Sequence, residues 1–336
     1  MRPTIKDVAK RAGVSHTTVS MVIHNDKRIT EETKQKVLKA IKEINYYPNY
    51  SARSLIQGKS NTIAFVTPFF YFSSFFEIYT MHGLEKYNLD NKNKYVIQQF
   101  TTGPDNERRN ELLREILYGR RADAIIGLGF VPNEKIIEEY KDKQVPIVLI
   151  DAKAKFVHTV RADNYYGAYI ATEYLIKKGR KKIGLISASF SASLAPEQRF
   201  NGYKDALKNY GIEYKEENVI YVEHFLFEEG KEAIRKFMEK KLDLDAIFSA
   251  AGDWVAMGAI TEARKLGIKI PEDIAIVGYD DIIVSETVMP PLTTIRQPTL
   301  EMGKKAFEIA VDAIDGKFDK EVEKIFKPEL IIRESA

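Results

Sequence analysis

The stretch "LDAIFSAAGDWVAMGAITEARKLGIKIPEDIAIVGYDD", residues 244–281, decides the fold. Its first ten residues form a short apolar run closing on Gly and Asp, the mark of a buried strand. "VAMGAITEARKLG" (255–267) then carries a helical pattern ended by a glycine stop signal. A second apolar run, "DIAIVGYDD" (273–281), completes a strand–helix–strand unit. Strands separated by helices of this length join as parallel βαβ crossovers.

The same pattern recurs upstream. "TIAFVTP" (62–68), "ADAIIGLGF" (122–130), "VPIVLIDA" (145–152) and "KIGLISASF" (182–190) read as further strands. Between them, "NERRNELLREILYG" places Leu112, Leu113, Ile116 and Leu117 at helical spacing, and "YYGAYIATEYLIKKG" (165–179) ends at another glycine. Two such sets predict an α/β core of two similar Rossmann-like subdomains; one long doubly wound sheet is the alternative. Ligands are expected beyond the carboxyl ends of the strands.

The first 60 residues differ in kind. Residues 1–59 hold twelve Lys/Arg against five Asp/Glu, while the rest of the chain holds 39 against 43. A basic head on a slightly acidic body implies that the head alone meets a polyanion. It has no strand signal and fits three short helices. Thr4 is an N-cap with Asp7 three residues on, and Ile5, Val8, Ala9 and Ala12 form an apolar stripe. Gly13 ends that helix, Ser15 caps a second, and Thr30 caps a third with Val37, Leu38, Ile41 and Ile44 facing inward. On the second helix Val19, Val22 and Ile23 fall together. Thr17, Ser20, Met21 and His24 fall opposite, with His16 at the border. Two short helices around a Gly-containing turn, backed by a third, make a helix-turn-helix whose outward face enters the major groove. A three-helix module that binds protein is the alternative.

"PNYSARSLIQGKSN" (48–61) is too short and polar for a stable isolated helix, yet Ser51 and Gly58 bracket two turns of helix pattern. Arg53 and Lys59 flank the apolar pair Leu55 and Ile56, the chemistry of a minor-groove wedge; an ordinary linker is the other reading. Other classes lose ground. A charged content of 29% and a hydrophobic content of 44% suit a soluble globular protein, and no apolar run is long enough to span a membrane. The first residues lack a signal-peptide core, so a cytoplasmic protein is expected. With no cysteine there are no disulfides, and the five histidines form no metal-binding pattern. G-x-S-x-G, G-x-x-x-x-G-K-[ST] and a full G-x-G-x-x-G are all absent, so neither an enzyme nor a bound cofactor or metal is expected.

Seven segments in order resemble the lac repressor/galactose repressor (LacI/GalR) family of bacterial transcriptional regulators. They are "TIKDVAKRAGVSHTTVSMVIHN" (4–25), "ITEETKQKVLKAIKEINYYPNYSARSL" (29–55), "DNYYGAYIATEYLIKKGRKKIGLI" (163–186), "QRFNGYKDAL" (198–207), "GDWVAMGAI" (252–260), "IPEDIAIVGYDD" (270–281) and "PPLTTIRQP" (290–298). The resemblance implies a DNA-binding headpiece over 1–48, a hinge helix over 49–60 and a type I periplasmic-binding-protein-like core over 61–336. The N-subdomain would take about 61–160 and 292–322, and the C-subdomain about 161–291 and 323–336. It further implies a homodimer on a near-palindromic double-stranded operator, switched by a small effector in the cleft; repression under the control of a small sugar is the expected reading, and a non-sugar effector or a protein corepressor is the alternative. Base-reading positions match His16, Thr17 and Met21, with Thr4, Ser15, Thr18, Ser20 and His24 completing the headpiece contacts. Hinge contacts match Asn49, Ser51, Ala52, Arg53 and the wedge Leu55. In the cleft, Arg199, Asp253 and Asp280 would bind hydroxyls; a surface ion pair or helix cap is the other reading of each, and for an Asp taken alone the commoner one.

Two departures stand out. Met21 cannot make the bidentate bond to guanine that an arginine makes, so it is expected to pack on a thymine methyl or a sugar. After the first core strand comes "TPFFYFSSFFEIY" (67–79). Among its aromatics, Phe69, Tyr71, Phe72 and Phe75 are candidates for stacking on a carbohydrate ring, with Trp254 as the opposite wall; a hydrophobic seam between subdomains is the main alternative. The chain closes on "PELIIRESA" with no leucine heptad, so no tetramerising tail is expected.

Overall fold

The computed structural model describes residues 3–23, 26–47, 59–68, 75–92, 94–103, 105–189 and 194–336. The chain divides into two compact units, Met1–Ser60 and Asn61–Ala336.

Three helices make the first unit: α1 (Ile5–Ala12), α2 (His16–Ile23) and α3 (Glu31–Glu43). Asp7 accepts both the backbone N–H and the hydroxyl of Thr4, at 2.8 and 2.7 Å, closing the first turn of α1. Gly13, at φ 68°, takes the left-handed conformation that ends it. The Ser15 hydroxyl accepts the Thr18 N–H at 3.0 Å, and that of Thr30 accepts the Thr33 N–H at 3.4 Å. The core is small: Val8, Ala9, Val19, Val22, Val37 and Ala40, with Ile41 and Ile44 packed beside it. Leu38 corrects the sequence reading, because it is 42% exposed and Ala40 takes the inward position. On α3, Ala40 lies three residues after Val37 and therefore continues its face, whereas Leu38 is rotated off it.

The second unit holds two separate parallel sheets, which removes the single-sheet alternative. The first has six strands in the order β11-β5-β4-β3-β1-β2. They are β1 (Thr62–Thr67), β2 (Val96–Thr101), β3 (Ala124–Leu128), β4 (Ile147–Ile150), β5 (His158–Ala162) and β11 (Glu323–Phe326). The second has four, in the order β7-β6-β8-β9, comprising β6 (Ile183–Ala188), β7 (Val219–Val222), β8 (Ala246–Ser249) and β9 (Ala275–Val277). β10 (Thr294–Arg296) and β12 (Glu329–Ile331) form a two-stranded antiparallel ribbon. Helices α4 (Phe75–Asp90), α5 (Asn106–Tyr118) and α6 (Glu134–Asp142) belong to the first sheet. Helices α7 (Asn164–Lys177), α8 (Leu194–Asn209), α9 (Phe227–Glu239) and α10 (Asp253–Lys265) belong to the second, and α11 (Thr299–Ile314) returns to the first. Central strands such as β3 and β6 are buried along their whole length, as parallel strands covered on both faces must be.

The chain passes between the sheets at Asp163, at Gln297–Pro298 and at Lys327–Pro328. The last two crossings correct the sequence reading. Residues 292–296, expected in the N-subdomain, stay with the second sheet, where Leu292 and Ile295 are fully buried in its apolar clusters. Residues 323–326, expected in the C-subdomain, pair with β5 as the edge strand β11. The final segment seals the second sheet. The Ser335 hydroxyl donates to the Ile276 carbonyl at 2.6 Å and accepts the Thr293 N–H at 2.8 Å. Where α4 crosses α11, a Cβ on Gly303 would lie 2.2 Å from the Thr80 carbonyl oxygen, so only glycine permits that approach.

Candidate DNA-binding face and effector cleft

On the headpiece, His16 and Thr17 open α2 exposed to solvent, while Ser20 and Met21 are half-buried beside the buried Val19 and Val22. The Thr17 hydroxyl lies 3.2 Å from His16 Nδ1, so the two polar tips share one spot at the start of the helix. Thr18 is turned back, its hydroxyl 2.9 Å from that of Ser15, and Thr4 is tied to Asp7. Thr4, Ser15 and Thr18 thus shape helix ends, leaving His16 and Thr17 exposed and Met21 half-buried among the expected base-reading positions. His24 and the hinge positions Asn49, Ser51, Ala52, Arg53 and Leu55 lie outside the described residues. Lys6, Lys10, Lys27, Lys39 and Lys42 are exposed on the same unit.

In the core, the chain leaves β1 toward β2 on one side and β3 on the other, and leaves β6 toward β7 and β8 in the same way. These reversals open crevices at the carboxyl ends of the strands. α4 starts beyond β1 and α10 beyond β8, so Phe75 and Trp254 come from facing subdomains. Their rings lie 6.1 Å apart, and Trp254 also meets Phe227 at 5.6 Å. Phe75 packs on the apolar cluster of the second sheet, so at this position the hydrophobic seam is what forms. The Tyr79 hydroxyl accepts the Ile283 N–H at 3.2 Å across the same boundary. Phe69, Tyr71 and Phe72 lie outside the described residues.

Arg199 anchors the polar part of the cleft. It is buried, donates to Asn164 Oδ1 and to the Ala250 carbonyl at 2.8 Å each, and lies over the Tyr279 ring at 3.7 Å. Asn164 in turn donates to Asp151 Oδ1 at 2.8 Å. Burial raises the Asp151 carboxyl above its ordinary range, against the pull of Arg199. Asp280, at the unusual φ of 119°, accepts Gln297 Nε2 at 2.7 Å. Burial pushes its carboxyl up to about 6, again against Arg199. Asp280, Gln297 and Tyr79 line a cavity of about 370 Å³ beside the crossings. A larger cavity of about 520 Å³ lies against β11 and β5, where its Lys153 is already paired with Glu323.

Asp253 is the exception among the expected ligand contacts. It is fully buried, and its oxygens accept the Ile282 N–H at 3.0 Å, the Ser285 hydroxyl at 2.6 Å and the Thr294 hydroxyl at 2.5 Å. Both oxygens are spent inside the subdomain, so it staples the loop after β9 and the start of β10 to α10. Burial, then the charge of Asp280, raises this carboxyl to about 8 despite the three donors.

The sequence reading missed Asn164, Asp151 and Gln297, although all three stand in the segments it quoted. It also missed Glu77, in the first turn of α4. Burial raises the Glu77 carboxyl to about 7, and the charge of Asp280 adds to the rise. No group of His, Asp and Glu among the described residues is placed to hold a metal ion, and no described helix is long and apolar enough to cross a membrane.

Residues 4–49 match the model of the bacterial regulatory proteins, lacI family, and residues 172–336 match a periplasmic binding protein-like domain. The chain is 32% identical to the HTH-type transcriptional regulator CelR of Thermobifida fusca, covering 99% of this chain and 98% of that protein. It is 34% identical to the HTH-type transcriptional repressor PurR of Vibrio vulnificus, over 99% and 98%. Among solved structures, a CelR–cellobiose complex superposes with a TM-score of 0.75 at 30% identity over the whole of both chains. The lac repressor dimer bound to operator and the anti-inducer ONPF superposes at 0.88 with 22% identity, over 100% of this chain and 99% of that one, a likeness of fold.

Proposed function

This chain belongs to the lacI family of bacterial regulatory proteins and is a DNA-binding transcriptional regulator, and we propose that it represses its target genes under the control of a small sugar. One observation carries the effector reading. Arg199, Asn164 and Asp151 form a hydrogen-bonded polar network at the strand ends of two facing subdomains, with Asp280 close enough to Arg199 to feel its charge. Directed charged bonds suit sugar hydroxyls. The cellobiose held by the CelR structure supports the same class of ligand. The name of PurR as a repressor supports the sign of regulation.

On DNA, two headpieces of a homodimer each read one half-site of a near-palindromic operator. His16 and Thr17 supply hydrogen bonds to base edges, Met21 packs on a thymine methyl, and the segment from Asn49 to Leu55 supplies the minor-groove contacts. Effector binding shifts the angle between the two subdomains and with it the population able to hold the operator. Operator affinity should fall steeply with salt, because several phosphates are neutralised; a flat response refutes the DNA contact scheme. Thermal unfolding of the chain against a panel of mono- and disaccharides tests the effector, since a ligand of the folded state raises the melting temperature. A panel without any shift refutes the sugar.

A further inference from the structure

We propose that the effector carries a basic nitrogen, as an amino sugar does, and that its ammonium group docks against Asp280, Glu77 and the side-chain carbonyl of Gln297. The inference rests on the sugar reading above and names the chemical class of sugar. It starts from three buried oxygens. Glu77 Oε2, Thr80 Oγ1 and Gln297 Oε1 have no hydrogen-bond partner, whereas buried polar atoms nearly always have one. Gln297 is only 4% exposed, and its orientation is fixed: the carboxylate of Asp280 can only accept, so the amide must present Nε2 to it. That leaves Oε1 as an acceptor awaiting a donor, in a residue that lines the same cavity as Asp280 and Tyr79. Glu77 Oε2 becomes an acceptor when its carboxyl ionises, which a docked ammonium favours. In the first turn of a helix an exposed carboxylate is favourable, but here burial has taken that benefit away.

The charges point the same way. Asp280 stands near the carboxyl groups of Glu77 and Asp151, with the guanidinium of Arg199 beside it; Asp253, raised to about 8, holds its proton and adds no charge. Arg199 is already committed to Asn164, to the Ala250 carbonyl and to the face of Tyr279. Arg296 and Arg333 lie on the neighbouring carboxylate, Asp281, at 2.6 and 2.7 Å. Lys327 also lines the cavity, but it is exposed and lies 4.5 Å over the Tyr166 ring, so the buried oxygens of Gln297 and Glu77 keep no donor. A hydroxyl brings one donor and no charge; an ammonium brings three donors and a full charge.

Calorimetric titration of the full chain near pH 6.5 tests this with matched ligands. D-glucosamine and its β-1,4-linked dimer are compared with their N-acetylated forms, with glucose and cellobiose, and with putrescine as an acyclic amine. The amino sugars should bind at least about tenfold tighter than both neutral counterparts. Glu77→Gln, which keeps the shape of the side chain, should erase most of that ratio while leaving operator affinity unchanged. Neutral sugars binding as well as the amino sugars would overturn the ammonium site and leave the sugar reading standing. Binding of putrescine alone would support the ammonium site and overturn the sugar. If none of these ligands binds, both readings fall. The ratio in the unmodified chain decides the matter even if Glu77→Gln folds poorly.

Discussion

Replacing Asp253 by Asn puts the staple between β9, β10 and α10 to a quantitative test. The carboxyl is fully buried and pushed up to about 8 from its ordinary 3.8, chiefly by burial. A raised acid holds its proton in the folded chain and loses it in the unfolded one. It therefore draws stability down as pH rises from the unfolded value toward the folded one, by about 1.4 kcal/mol per pH unit. Between about pH 5 and pH 7.5 the loss is roughly 3 kcal/mol for this one group. Asparagine keeps the shape and does not titrate. Near pH 5 the variant should be less stable by no more than about 1 kcal/mol, because the protonated carboxyl and the amide each turn a hydrogen onto the Ser285 or Thr294 hydroxyl, which can accept it. By pH 7.5 that deficit should shrink to nothing or reverse. Urea unfolding of both proteins at the two pH values gives the two differences directly. A deficit that does not change with pH would mean that the folded carboxyl is ionised throughout and that the three donors outweigh burial. Repeating the pair in an Asp280→Asn background removes the coupling between the two carboxyls.

Gly303→Ala should destabilise the core by about 1–3 kcal/mol, since its Cβ would fall 2.2 Å from the Thr80 carbonyl oxygen and neither backbone can yield cheaply; an unchanged unfolding midpoint would show that α4 and α11 separate freely. Ser15→Ala should cost the headpiece about 1 kcal/mol by exposing the Thr18 N–H, read as faster hydrogen exchange over α2. Arg199→Ala should abolish the response of operator binding to the effector. It should also lower stability by about 3–5 kcal/mol, because the buried Asp151 and Asp280 lose their cation. Met21→Arg should change base preference at one operator position in a binding-site selection, and an unaltered preference would mean that position 21 reads nothing.

Strong periodicity made the α/β core and the three headpiece helices legible in the sequence. The apolar runs at 62–68, 122–130 and 145–152 became β1, β3 and β4 because central parallel strands bury both faces. β2 and β5 were illegible for the complementary reason. "VIQQFT" lies at a sheet edge with polar side chains outward, and "HTVRA" carries an arginine paired with Glu323. β10 and β12, of three residues each, are set by tertiary pairing alone. In the site, Arg199 was legible only through the likeness of "QRFNGY" to the family pattern, since nothing local shows that Asn164 and the Ala250 carbonyl fold onto it. Asp253 looked identical in sequence to a ligand contact, since nothing local reveals that Ser285 and Thr294, 32 and 41 residues away, fold back onto it. Gln297 is inconspicuous as a residue type, and only its burial with an unmatched oxygen gives it meaning.

The three crossings carry a consequence for how the core is made. The six-stranded sheet has its edge strand β11 at 323–326, and the second subdomain is closed by β12 and Ser335. Neither half is complete until nearly all of the 336 residues have left the ribosome. The headpiece, whose core lies within residues 5–46, can fold as it emerges, but the core cannot fold vectorially, one half before the other. A chain cut just before residue 323 would lose the edge of one sheet and the seal of the other at a stroke, leaving a DNA-binding head on a core damaged in both halves.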